Sequence, residues 1–333
     1  MSINRQIVVA ELPKDKLEER HFELRKVDMP RAGAGHVLVK TRLLSLDAAN
    51  RAWMQGATYK APVHAGEVMH GGALAEVVES NDSGLQPGDI VEAMTGWQEY
   101  AVLSPRELIK IDAKDPLSHN MSVYGISGLT AYFGLLKCGK PKAGETLVVS
   151  AAAGAAGNFV GQIGKIKGCR VIGIAGSDEK CKWITDELGM DDAINYKKEN
   201  IFNALKAKCP DGIDVYFDNV GGDILEAVLF QMNMYGRIAC CGAVSQYDTG
   251  SPKPGPRGVP GLLVVKRLTM QGFIVSDFFK ERASATAEME GWVSQGKIKV
   301  KEDIIDGLDN APKSLIGLLH GENLGKRMIR VSG

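Results

Sequence analysis

The apolar residues keep two different rhythms along the chain. In roughly the first 120 residues they form short β-prone runs, Val37–Thr41, Ala73–Val78 and Ile90–Ala93. Turn residues separate these runs: Pro30, Gly33, Gly35, Asn81-Asp82 and Pro87-Gly88-Asp89. That punctuation predicts a β-rich domain. Between the first two runs lies a long connection, Ser45 to His70, which holds Trp53, Tyr59 and His64. Connections of that length are often functional.

Near Ser122 the rhythm changes to apolar strands alternating with helical stretches. The strands expected are Thr146–Ser150, Arg170–Ala175, Asp192–Tyr196, Val215–Asp218, Arg237–Gly242 and Thr269–Val275. Helices are expected between them at Asn158–Lys167, Glu179–Leu188 and Asp223–Met232. Near-continuous apolar strands alternating with helices mean a parallel, doubly wound α/β sheet. Ser251–Pro260, with its prolines and glycines, reads as an extended loop over the ligand edge of that sheet. After a helix near Glu281–Gln295 the chain turns β-like again at Ile298–Val300 and Lys326–Val331. The expected division is therefore 1–121 for the β-rich domain, 122–293 for the doubly wound domain and 294–333 for a return to the first.

Composition narrows the function classes. The 333 residues carry 40 basic and 40 acidic side chains, for a formal net charge of zero. A nucleic-acid or membrane-surface protein would want a basic excess, so neither partner is expected. No apolar run is long enough for a membrane span, and no apolar h-region opens the chain. The six cysteines include no CxxC pair, and none falls before Cys138. That usage suits a reducing compartment, here the cytoplasm.

The strand Thr146–Ser150 runs into Ala151-Ala152-Ala153-Gly154-Ala155-Ala156-Gly157 and then a helix. This is the place of the dinucleotide fingerprint G-x-G-x-x-G, with Ala152 where the first glycine would stand. Gly154 lets the backbone approach a pyrophosphate, and Gly157 lets helix and strand pack closely. The backbone N–H groups from Ala152 to Gly157 and the helix N-terminus then face the phosphates. An acid at the tip of the second strand would bind an NAD ribose. Here the tip, Ala175-Gly176-Ser177, is small and uncharged, and Lys180 lies just beyond. A missing carboxylate and a nearby lysine favour NADPH. Asp178 is either a ribose acceptor or, with Ser177, a helix cap.

Other candidates stay open. Zinc needs three or four N, S or O ligands. The first domain has no cysteine, and only His64 and His70 lie close together, so no metal site is expected. Cys240-Cys241 is either a redox pair or core packing. Asp218-Asn219-Val-Gly-Gly222 closes a strand at the end where such sheets bind ligands. Tyr247 is either a surface aromatic or a phenol that donates to a developing oxyanion in the cleft.

Several segments together carry a resemblance: Gly128-Leu-Thr-Ala-Tyr-Phe-Gly134, Ser150–Gly157, Val160-Gly-Gln-Ile163, Gly176-Ser-Asp-Glu-Lys180, Phe217-Asp-Asn-Val-Gly-Gly222 and Asn323-Leu-Gly-Lys326. The chain resembles the zinc-free medium-chain dehydrogenase/reductases, nearest the prostaglandin reductase and leukotriene hydroxydehydrogenase branch with its curcumin- and alkenal-reductase relatives. The resemblance implies a GroES-like first domain, a Rossmann second domain, a homodimer, and NADPH-dependent reduction of the C=C bond of α,β-unsaturated ketones and aldehydes. It implies Lys180 and Tyr196 near the 2′-phosphate, with Ser177 beside them. It puts Asn219 and the Cys241–Tyr247 loop along the cofactor, Phe273 to Val275 by the nicotinamide, and Asn323 at the cofactor's far side. A tyrosine found in some members before Met270 is Val265 here. The family motif Ser-x-Asp-Pro-Tyr-Met-Arg reads Ser45-Leu-Asp-Ala-Ala-Asn-Arg51. Asn50 and Tyr59 are the expected substrate contacts.

The expected mechanism follows from charge development. Hydride goes to the β-carbon, and negative charge builds on the carbonyl oxygen. Tyr247 is the best protein donor for that oxygen, with the nicotinamide ribose hydroxyl or a water as alternatives. The rival readings are a quinone reductase of the same superfamily and a non-catalytic NADPH-binding protein.

Overall fold

A computed structural model describes residues 3–82 and 84–331. The chain opens with an antiparallel ribbon of β1 (Ile3–Val9) and β2 (Phe22–Asp28). The next strands are β3 (Val37–Ser45), β4 (Ala73–Ser80), β5 (Ile90–Ala93), β6 (Tyr100–Leu103) and β7 (Leu108–Lys110). The doubly wound half supplies β8 (Thr146–Ser150), β9 (Arg170–Ala175), β10 (Asp192–Asn195), β11 (Ile213–Asp218), β12 (Met232–Cys240) and β13 (Thr269–Gly272). The last strands are β14 (Glu302–Asp306) and β15 (Lys326–Arg330).

Two larger sheets result. The six-stranded sheet runs β10-β9-β8-β11-β12-β13, and every pairing is parallel. Its strand order reverses between β8 and β11, so the crevice outside their carboxyl ends is the ligand edge. Every residue of β8 is buried, as a central strand covered on both faces must be. The seven-stranded sheet runs β14-β15-β3-β4-β5-β7, with β6 also pairing β3. The end of the chain thus completes the first domain: Met328, Ile329 and Arg330 pair antiparallel with Ser45, Leu44 and Leu43. No helix among the described residues is long and apolar enough to cross a membrane.

Several expected boundaries shift for visible reasons. Ile298–Val300 is not a strand. The N–H groups of Lys297 and Ile298 both donate to Trp292 O and close the preceding helix Arg282–Ser294, so pairing resumes only at Glu302. The strand expected over Thr269–Val275 stops at Gly272, because Phe273 turns inward against Phe217. The extended segment after Ser251 ends at Gly258. Val259–Lys266 is helical, with Pro260 in its first turn, where a missing N–H costs nothing. Within the long Ser45–His70 connection sits a short helix, Ala48–Trp53.

Candidate active site: a cofactor cradle and a tyrosine-lined cleft

The turn after β8 is shaped for a phosphate. Ala151 takes a left-handed φ of 49°, which throws the chain back over the strand end. A Cβ on Gly157 would lie 2.2 Å from Ala151 O, so only glycine allows the helix Gly157–Ile166 to begin this close to the turn. Ala152 is not free to bind phosphate through its amide, because its N–H donates to Ile174 O and its methyl is buried. Ala153 is buried too, and its carbonyl accepts from Gly325 N. These two alanines set the turn. Among the described residues the N–H groups of Ala155, Ala156 and Gly157 donate to nothing within the protein. They stand at a helix N-terminus, which favours an anion. The Gly325 contact also brings in the C-terminal segment, where Asn323 Nδ2 donates to Gly325 O at 2.9 Å.

At the tip of β9 the charges sort themselves. Ser177 caps the next helix, its Oγ accepting from Lys180 N. Asp178 is turned to Asn195 Nδ2 at 2.6 Å and to Lys198. Its carboxylate is therefore engaged, and Ser177 alone makes the cap. Lys180 is half-buried and donates to Gly321 O at 2.7 Å. Burial first, then the cations Lys197 and Arg327, hold its ammonium below its usual range, with Glu179 and Asp303 opposing in part. Tyr196 is exposed and lies over Gly176, where a Cβ would come within 3.1 Å of its ring and 3.4 Å of Lys197 Cε. The half-buried ammonium, with Lys197 near it and Arg327 paired to Asp303 behind, offers positive charge to a dianion.

Between these ends runs the crevice. Asp218 is buried at the end of β11 and takes the N–H groups of Val220 and Gly221 and the Tyr216 hydroxyl on one oxygen. Burial raises its pKa, and the same hydrogen bonds hold it down in part. This fixes the turn that presents Asn219, whose Nδ2 donates to Ser150 O at 2.7 Å. Beyond it opens a cleft of about 510 Å³ lined by Cys240, Cys241, Gly242, Ala243, Tyr247 and Phe273. Cys240 and Cys241 pack on opposite faces of the sheet, so they are not placed as a redox pair. Burial pushes both thiols up to about 12, and Asp218 adds to the effect.

Tyr247 holds the cleft's most useful proton. Its oxygen accepts the Ala243 N–H at 3.1 Å, which leaves the phenolic hydrogen free to donate. Tyr59, 62% exposed, overhangs from the first domain. Its pKa is raised above its usual range, first by partial desolvation of the phenol and then by Asp47, with Trp53 opposing in part. Tyr247 lines the cleft, and Tyr59 stands outside its wall. Val275 is partly buried just past Phe273, at the start of a 3-10 turn. Asn50 is not at the surface of the cleft. It is 1% exposed, accepts from Asp47 N and donates to His70 O, so it ties the loop together and is corrected from a substrate contact to a structural one.

Sequence reading missed Arg51, Asp248 and Gly321. The first two are single charges, one on a helix of six residues and one in a loop, with no periodic signal. Gly321 meets Lys180 from 141 residues away. Among the described residues no group of His, Cys, Asp and Glu side chains is placed to hold a metal.

The comparisons agree with this geometry. Residues 5–111 match the family model described as the N-terminal domain of oxidoreductase, and residues 155–291 match that described as zinc-binding dehydrogenase. The chain is 44% identical to an NADPH-dependent curcumin reductase of Escherichia coli, over 99% of this chain and 97% of that one. It is 43% identical to rat prostaglandin reductase 1, over 94% of each chain. A crystal structure of CurA from Vibrio vulnificus in complex with NADPH superimposes with a TM-score of 0.94 at 42% identity, covering 99% of both chains. With relatives this similar along nearly its whole length, the chain belongs to the medium-chain dehydrogenase/reductase family, in the branch of the curcumin and prostaglandin reductases.

Proposed function

We propose that this protein reduces the C=C bond of α,β-unsaturated ketones and aldehydes with NADPH. The observation that carries the reading is the Tyr247 phenol. Its oxygen accepts a backbone N–H, its ring lines a cleft at the ligand edge of the sheet, and its own hydrogen is left to donate. The cradle fits the cofactor: free N–H donors at Ala155–Gly157 suit a pyrophosphate, and Lys180, beside Tyr196 and Lys197, suits a 2′-phosphate. Asn219 and the Cys241–Tyr247 turn run along the middle, Phe273 and Val275 flank the nicotinamide end, and Asn323 closes the far side. Bound there, NADPH supplies a hydride for the β-carbon of the substrate.

The chain's own residues do the rest. Tyr247 donates a hydrogen bond to the carbonyl oxygen as negative charge grows on it, and such preorganised donors are the usual main source of rate; the enolate then takes a proton from water at its α-carbon, which gives the saturated product. Tyr59, exposed on the long loop of the first domain, covers the opposite side of the substrate and narrows access to water. Phe273 is buried against Phe217 and gives the cleft a rigid apolar wall. The division at 121/122 and 293/294 gives Tyr59 to the substrate domain and Tyr247 to the cofactor domain. The protein works without zinc and in a reducing compartment, which the raised, unpaired thiols suit; thiol titration of freshly extracted protein that found disulfides would oppose that placement.

It acts as a homodimer. Strand β13 is an open sheet edge, and beside it Val264, Val265 and Tyr235 are 74%, 64% and 65% exposed. An open edge flanked by exposed apolar side chains is a pairing surface.

The test is a turnover assay with NADPH deuterated at the transferring position and a medium-chain enone. The saturated ketone should form with deuterium on its β-carbon. Tyr247→Phe should lower kcat by ~10²-fold, the scale of losing one oxyanion donor, with little change in NADPH binding. Deuterium on the carbonyl carbon, turnover with quinones alone, or no turnover at all would each defeat the assignment.

A further inference from the structure

The guanidinium of Arg51 is buried to 1% exposure, yet it belongs to the first domain and its counterion belongs to the second. Arg51 lies on the short helix Ala48–Trp53. Its Nε donates to Asp248 Oδ1 at 3.1 Å and its Nη2 to Asp15 O at 2.6 Å. The same Asp248 oxygen accepts Leu17 N at 2.8 Å. Asp15 in turn takes Gly250 N on its Oδ1 at 2.9 Å, and Gln55 Nε2 reaches Gln246 O at 3.3 Å. Gly250 is pressed so close that a Cβ there would stand 2.5 Å from Lys14 O. Residues 246, 248 and 250, which bracket Tyr247, are therefore gripped by the first domain although their loop springs from β12 of the other sheet.

We infer that the Arg51–Asp248 pair is a positioning device, through which docking of the two domains sets where the Tyr247 hydroxyl stands over the cleft. A buried ion pair adds little net stability against its desolvation, so its value lies in fixing one geometry. Two constraints act on Tyr247. Ala243 N–H holds its oxygen from within the second domain, and Asp248 holds the next backbone unit from the first. Loosening the second leaves the phenol attached to its loop but free to drift. A drift of about 1 Å is enough to cost a large part of a donor's effect. The phosphate contacts at Ala155–Gly157 and Lys180 take no part in this grip, so NADPH binding should weaken far less than turnover.

The inference rests on the proposed enone reduction, and the test keeps the two apart. Asp248→Asn keeps the shape and an acceptor for Leu17 N but removes the charge. It should lower kcat roughly tenfold or more, raise the NADPH Kd by a much smaller factor, and lose little further when placed in a Tyr247→Phe background. Arg51→Lys, which restores charge without the planar fork, should recover part of the loss seen in Arg51→Met. NADPH binding by each variant shows that it has folded. Losses from Asp248→Asn and Tyr247→Phe that simply multiply, or an unchanged kcat, would overturn the inference. A fluorotyrosine at position 247 reads placement without turnover. Its ¹⁹F resonance should shift or broaden in Asp248→Asn, and an unaltered resonance overturns the inference whatever the substrate proves to be.

Discussion

Lys180 gives the sharpest test of cofactor choice. Its ammonium has three donors, of which one is spent on Gly321 O at 2.7 Å. Two remain for a phosphate. A hydrogen bond to a charged group contributes about 1.5–3 kcal/mol. Lys180→Ala should therefore weaken NADPH binding roughly ten- to a hundredfold. The lower part of that range is expected, because Lys197 and Arg327 remain near enough to act on the same site. NADH has no 2′-phosphate and should bind as before. A second arm uses pH. Burial and the neighbouring cations lower the ammonium's pKa from its usual 10.5, and a dianion nearby would raise it again. NADPH binding then takes up a proton, so affinity should fall as pH rises through the alkaline window below 10.5, while NADH affinity stays flat. In the free protein the sign is opposite. The unfolded chain binds more protons in that window, so Lys180's share of stability rises with pH. Fluorescence titration of both cofactors at pH 7 to 10 measures the affinities, and denaturant unfolding over the same range measures the stability. Equal losses for NADPH and NADH would show that Lys180 does not read the phosphate.

Three further outcomes are expected. Gly157→Ala puts a methyl 2.2 Å from Ala151 O, a backbone atom that cannot swing away; thermal unfolding should show a loss of about 1–3 kcal/mol and calorimetry a larger loss of NADPH affinity, and a neutral result would deny the tight turn. Elemental analysis should find well under one zinc per chain and full activity after chelation, since no cluster of candidate ligands is placed for it among the described residues; stoichiometric, chelation-sensitive zinc would reverse this. Val264→Lys combined with Val265→Lys should shift light-scattering mass from dimer to monomer, and an unchanged mass would move the interface elsewhere.

What could be read from the sequence depended on how local its cause was. β8 and β9 have the bounds their apolar runs imply, because a central strand's burial is written into consecutive residues. The glycine turn after β8 was legible for the same reason, although the reading gave Ala152 a phosphate contact that its bond to Ile174 O precludes. Asn50 failed as a substrate contact because whether an amide faces a cleft or a carbonyl such as His70 O depends on a loop's path, which composition does not fix. The β1–β2 ribbon escaped because its outer strand mixes charged and apolar residues in a half-exposed edge. Arg51 and Asp248 meet across 197 residues, and no spacing rule reaches so far.

The return of the chain's end to the first sheet has a consequence for synthesis. Strand β3 waits for β15, and Lys326, fully buried, holds Leu46 O from 280 residues away. At ~5–20 residues per second a ribosome needs about 15–55 s to cover that distance. During that interval β3 has β4 and β6 for partners but an uncovered edge where β15 belongs. The strands of the other sheet, from β8 to β13, emerge as one uninterrupted stretch and can assemble meanwhile. The cofactor half is thus finished first, and the wall that carries Tyr59 is sealed only when the last strand leaves the ribosome.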